Sequence, residues 1–339
     1  MKVLIIGGTG LISTPMAGLF LERGDEVTHY NRGKAAPTPD GVLQRTGDRK
    51  DFATFEREMQ DGDAYDCIID MICFHPDEAR SLVRAVQGKT RHLIVCSTVD
   101  VYAKPASRYP ITEAEPHDPP PWGYARNKAI IEELLARNAQ ESGLPTTIIR
   151  PAYTYGEGKA MIHTFGWSST HLDRIRKGKP LVVHGDGSSF WGSCHRDDVA
   201  RAFVNAAGQE ATFGKSYHVT GEEWLTWNQY HDAIADAIGA PKPTLVHIPT
   251  DLLDRVAKRA HICAVNFRYN NIFDNAAARR DIGFDYTISF RDGVRRIYRW
   301  LEEHGTIANS DDDPYDDRVI AAWDRLGSAM GEELTGLDG

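Results

Sequence analysis

The apolar run Val3-Leu4-Ile5-Ile6 passes without a spacer into Gly7-Gly8-Thr9-Gly10-Leu11-Ile12-Ser13, and a helical pattern then extends to residue 23. Strand, glycine turn and helix in immediate succession restrict what the chain can become. The glycines permit a tight turn and let a ligand approach the backbone. The helix start supplies N–H donors and the positive end of its dipole, which together suit a pyrophosphate. The alternation then continues. Apolar runs at 26–30, 42–44, 67–71, 92–96 and 146–149 read as strands, and 51–59, 77–86 and 124–142 as helices. Strands without a polar face, separated by helices, predict a parallel sheet covered on both sides. The predicted fold class is therefore α/β, a doubly wound parallel sheet of Rossmann type, with ligands at the carboxyl ends of its strands.

Beyond Arg150-Pro151 the regularity fades, although helical patterns return at 197–207, 227–238, 250–259 and 290–303 and a short strand at 217–219. A chain of 339 residues is long enough for two domains. Residues 1–155 plus about 194–220 are expected to form the dinucleotide-binding domain, and 156–193 plus 221–305 a smaller C-terminal α/β substrate lobe. Residues 306–339 are expected to form an acidic loop, with five Asp between 311 and 317, and a short helix over 319–326.

Composition narrows the partners. With 39 Lys plus Arg against 48 Asp plus Glu, the net charge is −9, which disfavours a nucleic-acid backbone. No apolar run reaches the roughly 18 residues of a membrane span, so no membrane partner is expected. The five cysteines are odd in number and contain no C-x-x-C pair, which predicts free thiols and a cytoplasmic location. His163, His171 and His195 lack a carboxylate or Cys at ligand spacing, so no metal is assigned.

Cofactor choice is read after the second strand, where NAD sites usually hold an acidic residue against the ribose 2′-hydroxyl. Here the sequence is His29-Tyr30-Asn31-Arg32-Gly33-Lys34. Asn31 takes the acidic position, and Arg32 and Lys34 favour a 2′-phosphate, so NADP is preferred over NAD. Arg32 stacked on adenine would leave NAD open. Gly7, Gly10, Leu11 and Ile12 are assigned to the cofactor, and Asp48 is a candidate acceptor for the adenine amino group. Tyr124-Ala125-Arg126-Asn127-Lys128 is the second signal. At i and i+4 on a helix, Tyr124 and Lys128 share a face. A nearby ammonium and an oxidised nicotinamide favour the phenolate, so Tyr124 can take or return a hydroxyl proton. Lys128 is also assigned to the nicotinamide ribose.

These residues give the chain a resemblance, from residue 1 to about 305, to the extended short-chain dehydrogenases/reductases of the NAD(P)-dependent sugar epimerase/dehydratase family. Gly7 to Ser13, Ser97-Thr98-Val99-Asp100-Val101-Tyr102, Tyr124 to Lys128, Arg150-Pro151 with Tyr155-Gly156, Gly185-Asp186-Gly187 and Asp197-Asp198-Val199-Ala200 carry it. The resemblance implies a small-molecule, sugar-like substrate oxidised or reduced at a secondary alcohol. It also implies a homodimer through two helices of the sheet domain. Thr98 would hydrogen-bond the reacting hydroxyl, Tyr124 would be the base and Lys128 its partner. Asp100 would take the second acid/base position, one methylene shorter than the family's usual Glu; otherwise it bonds local backbone. Two departures concern the substrate side. Tyr153 stands where many members have Asn. Phe190-Trp191-Gly192-Ser193 stands where sugar-nucleotide enzymes carry an Arg for the diphosphate, a role Lys159, Arg174, Arg176 or Lys177 would have to fill. Tyr153 and Trp191 are therefore assigned to substrate, with Trp167, Trp224 and Trp227 as further stacking or packing residues. Epimerisation, dehydration and simple NADP-dependent reduction of a non-nucleotide substrate all remain open. So do a cofactor-sensing role and an RNA-associated one.

Overall fold

The computed structural model describes residues 1–34, 37–335 and 337. They fall into two compact units. The first comprises Met1–Gly156, Gly192–Glu223 and Ile272–Phe290, the second Glu157–Trp191, Trp224–Asn271 and Arg291–Gly339.

In the first unit β1 (Lys2–Ile6), α1 (Ser13–Glu22), β2 (Glu26–Asn31), β3 (Leu43–Thr46), α2 (Phe52–Asp61), β4 (Cys67–Asp70), α3 (Pro76–Val86), β5 (Leu93–Cys96), α4 (Gly123–Ser142) and β6 (Thr146–Pro151) follow one another. A seventh strand, Ser216–Val219, completes a fully parallel sheet in the order Ser216–Val219, β6, β5, β4, β1, β2, β3. Strand periodicity explains its two cores. Val3 and Ile5 point to one face, into a cluster with Phe20, Val27, Val199 and Phe203. Leu4 and Ile6 point to the other, with Phe55, Leu82, Ile131 and Leu135. Local signals set the helix ends: the Asp51 carboxylate accepts from Thr54 N–H at the start of α2, and Gly143 closes α4 at φ +70°.

The sequence reading placed 272–290 in the lobe, but these residues belong to the first unit. Ala278, Ile282 and Phe284 are buried in the same cluster as Val199 and Phe203, so apolar burial returns the chain to the sheet. The helix read as 250–259 ends at Val256, and a single 3₁₀ turn, Lys258–Ala260, replaces its last part.

In the second unit Leu181–His184 pairs in parallel with Leu245–Ile248. The helix Trp227–Ile238 opens with a reciprocal cap between Thr226 and Gln229. Its Trp227 indole is fully buried and donates to the Phe267 carbonyl. The terminal helix runs over Tyr315–Leu334, much longer than the expected 319–326. The acidic run before it is not merely solvated. Asp311 pairs with Lys177 and Lys179, Asp313 with Arg259, and Asp317 with the buried Arg174. Asp316 and Asp317 then fall in the first helical turn, where the helix dipole favours negative charge.

Both units bury neutral histidines. Burial pushes the imidazoles down from the ordinary 6.5, to about 4 for His29, His92 and His184 and about 3 for His171, His218 and His231. The unfolded chain therefore binds more protons than the folded one once the pH drops below the ordinary value. Their contribution to stability is complete above it and is lost on acidification. Asp316, raised to about 6 by burial, works in the opposite sense but alone. The melting temperature is expected to fall steadily from pH 7 to about pH 5. A flat profile would contradict the assigned neutral state.

Candidate active site

The glycine loop is braced from below. Gly7 adopts φ +87° and donates its N–H to the Tyr30 carbonyl at 3.0 Å. The buried Ser13, in place of a third glycine, donates its hydroxyl to the Gly7 carbonyl at 2.7 Å. A side chain at Gly8 would lie 2.2 Å from the His29 ring, so only glycine fits there. Gly7, Gly10, Asn31, Arg32, Lys34 and Asp48 all line one cavity of about 360 Å³ at the carboxyl ends of β1, β2 and β3. Leu11 and Ile12 lie at the entry to α1 outside that lining, and Ile12 packs on the core. The Asn31 amide accepts from the Gly33 N–H at 2.8 Å, which fixes the turn that carries Arg32 and Lys34. Asp48 accepts from the Lys50 N–H at 2.9 Å.

Arg49 and Lys50 also line this cavity, and sequence reading missed both. Arg49 is buried, ion-paired with Asp70 at 2.5 Å and bonded to the Glu78 carbonyl. Asp70 was detectable: it is a carboxylate at the end of the otherwise apolar strand Cys67–Asp70, a position that needs a partner. The bare backbone cradle of the loop fits a dinucleotide pyrophosphate, and Arg32, Lys34 and Lys50 share the cavity with Asp48 and Glu78.

Tyr124 sits in the first turn of α4, partly buried, with Trp122 and Phe74 rings 5.1 and 6.4 Å away. The Thr98 side chain acts on its phenol in the direction that favours the phenolate. Lys128 is 1% exposed and donates to the Cys96 carbonyl at 2.6 Å. Its ammonium lies 4.9 Å from the Phe74 ring centre and 5.9 Å from that of Tyr124. Burial raises the phenol above its ordinary range, Cys96 and Asp100 push the same way, and Thr98 opposes them. In the chain without cofactor the Lys128 ammonium is directed at the Cys96 carbonyl, and burial favours the protonated phenol. Asp100 is ion-paired with the buried Lys104 at 3.3 Å, its carboxylate accepts from the Thr98 hydroxyl at 3.4 Å, and its N–H donates to that hydroxyl at 3.2 Å. Lys104, two residues past the strand-end motif, carried no signal in the sequence.

One turn beyond Lys128, Glu132 anchors the same helix. It is buried, accepts from Ser97 and takes Arg150 through two oxygens, at 3.0 and 2.5 Å. Arg150 also reaches the Tyr102 hydroxyl, which meets His218 at 2.6 Å.

The substrate-side expectations fare differently. Tyr153 is partly buried, its ring stacked 6.0 Å from that of Tyr155. Trp191 is 6% exposed, and Trp227 and Phe267 rings stand 5.1 and 4.8 Å from it. Its assignment to substrate is corrected to packing, because neighbouring rings already occupy its faces. Trp227 is likewise core, whereas Trp167 and Trp224 are exposed. Arg174, Arg176 and Lys177 are taken up by Asp173, Asp311 and Asp317, so they do not replace the missing diphosphate arginine.

A parallel doubly wound sheet, a glycine loop after its first strand and a Tyr–Lys pair beside the end of β5 define a class of nucleotide-dependent enzymes. A profile of the NAD dependent epimerase/dehydratase family matches residues 3–219, and the chain belongs to that family. It is an enzyme of the NAD(P)-dependent epimerase/dehydratase type. It is 26% identical to the chloroplast stem-loop binding protein of 41 kDa b from Arabidopsis thaliana, over 94% of this chain and 84% of that one. It is 24% identical to 2′-dehydrokanamycin reductase of Streptomyces kanamyceticus, over 92% and 87%. The UDP-glucose 4-epimerase of Thermotoga maritima, solved with UDP-glucose, has the same fold, with a TM-score of 0.72 and 19% identity over 90% and 99%. Among the described residues, no helix is long and apolar enough to cross a membrane.

Glu132→Ala would leave the Arg150 guanidinium buried and unpaired. In urea unfolding it is expected to cost about 3–5 kcal/mol. A loss below ~1 kcal/mol, within the range of an exposed pair, would show that the anchor is not structural.

Proposed function

We propose that the protein is an NADP(H)-linked oxidoreductase that interconverts a carbonyl and a secondary alcohol on a hydroxylated, sugar-like small molecule without a nucleotide. The observation that carries this reading is Tyr124 in the first turn of α4 with Lys128 one turn further along, buried and bonded to the Cys96 carbonyl at the end of β5. In this reading Gly7, Gly8 and Gly10 hold the pyrophosphate, and Arg32, Lys34 and Lys50 face the extra phosphate. The nicotinamide, when bound, supplies or accepts the hydride.

The chain's own residues supply the rest. Thr98 orients the reacting oxygen. Tyr124, protonated in the free site, donates its phenolic proton to the carbonyl oxygen during reduction; in oxidation the phenolate takes it back. Lys128 stands ready to favour that phenolate and to hold the ribose. Asp100, tied to Lys104, acts by positioning Thr98 rather than as a separate acid. A substrate without a diphosphate is supported by the intramolecular pairing of Arg174, Arg176 and Lys177, and a simple reduction by the near full-length similarity to a reductase. The five buried, free cysteines suit a reducing cytoplasm.

Two other readings have specific support. The fold match to a UDP-glucose 4-epimerase favours epimerisation, and the plastid relative's name favours RNA. The −9 charge argues against RNA.

The test combines cofactor binding with turnover on a panel of sugars, polyols and sugar nucleotides. NADP(H) is expected to raise the melting temperature more than NAD(H). Tyr124→Phe is expected to keep that shift while turnover of a non-nucleotide sugar or polyol falls by about 10²–10⁴-fold. Preference for NAD(H), activity confined to UDP- or dTDP-sugars, or substantial turnover by Tyr124→Phe would each refute the corresponding part.

A further inference from the structure

The terminal helix Tyr315–Leu334 has only one buried residue, Asp316, yet it is amphipathic. Val319, Trp323, Leu326, Met330 and Leu334 recur at spacings of three and four and so share one stripe. The two halves of this stripe differ. In the first, Val319 and Trp323 line a largely apolar groove of about 430 Å³ together with Leu252 and Val256 of the neighbouring helix Thr250–Val256. Leu326, 43% exposed, closes the end of the groove, and in the second half Met330 and Leu334 are 56% and 50% exposed. Val256, on the groove wall, is 68% exposed. One half of the helix thus lines an apolar groove, and the other half presents apolar side chains to solvent.

We infer that this face is a self-association surface on which a second copy of the chain packs antiparallel, helix against helix, about a two-fold axis near residues 326 and 327. The spacing is self-complementary under that operation. Val319 falls opposite Leu334, Trp323 opposite Met330, and Leu326 beside its own copy. Each copy's Met330 and Leu334 enter the other's groove, as an isologous interface requires. Gly327 has nothing within 4 Å of the place a side chain would take, so the helices can approach closely where they cross. Charge fits the same register. Arg318 lines the groove, whereas the charged residues beside Leu334 are Glu332 and Glu333. The antiparallel pairing sets these glutamates against the partner's Arg318; a parallel pairing would set like charges together.

Sedimentation of the full-length protein across a concentration series tests this. The wild type is expected to show an association step that Met330→Glu/Leu334→Glu removes, the dissociation constant rising at least about tenfold. Both sites are exposed, so unchanged circular dichroism, and a melting temperature equal to that of the wild type at a concentration where both are monomeric, would exclude misfolding. Association through any other surface would persist in both proteins and is read separately. Arg318→Glu is expected to weaken the step, and Arg318→Glu/Glu333→Arg to restore it. Under mild oxidation Leu326→Cys is expected to cross-link between copies and Leu334→Cys not to. Three results would overturn the proposal: identical sedimentation of wild type and double variant, equal cross-linking at both positions, or a wild type that stays monomeric while binding phosphatidylcholine vesicles through this stripe.

Discussion

Everything in the first unit depends on how α4 is seated on the end of β5. Two adjacent turns of the helix do this. Lys128 donates to the Cys96 carbonyl, and Glu132 engages Ser97 and Arg150. Both contacts are buried, so neither charge can turn back to water without a large penalty. Because α4 is held at these two points, its first turn has little freedom, and that turn carries Tyr124. Thr98 follows the same strand end. The phenol–hydroxyl pair is therefore a consequence of how a helix is anchored to a sheet, and the same anchor accounts for why Ser97 and Arg150 flank the candidate site without lining the cofactor cavity.

Charge is sorted by unit rather than averaged over the surface. In the second unit the acidic run 311–317 is matched by Arg174, Lys177, Lys179 and Arg259. In the first, Arg32, Lys34, Arg49 and Lys50 gather at one cavity, with Arg49 committed to Asp70 beneath it. A net charge of −9 is thus compatible with a cationic pocket for a small phosphorylated ligand. The terminal helix adds an apolar face that neither pattern explains by itself.

Period and punctuation made the sheet legible. The runs Val3–Ile6 and Cys67–Met71 bury both faces, and Gly8 after β1 belongs to the only kind of residue that clears His29. The Tyr124–Lys128 spacing was enough to place both side chains on one helical face. What stayed hidden depends on contacts distant in sequence. Nothing near Trp191 reveals the Trp227 and Phe267 rings that pack against it. The return of 272–290 to the sheet rests on three apolar side chains in a region without clear period. The acidic run looked solvated because its cationic partners lie more than 50 residues away, the shortest span being that of Arg259 and Asp313.

The phenol of Tyr124 is where fold, electrostatics and chemistry meet, and its titration tests the account most directly. Ultraviolet difference titration of wild type against Tyr124→Phe isolates this phenol from the other tyrosines. The account gives no phenolate from Tyr124 through the alkaline range of the free protein, because burial holds the proton on. It gives a phenolate at lower pH once NADP⁺ supplies positive charge beside it. A Tyr124 phenolate that forms at the ordinary tyrosine range in the free protein, and does not move with NADP⁺, would contradict both the buried acid and its role in proton transfer.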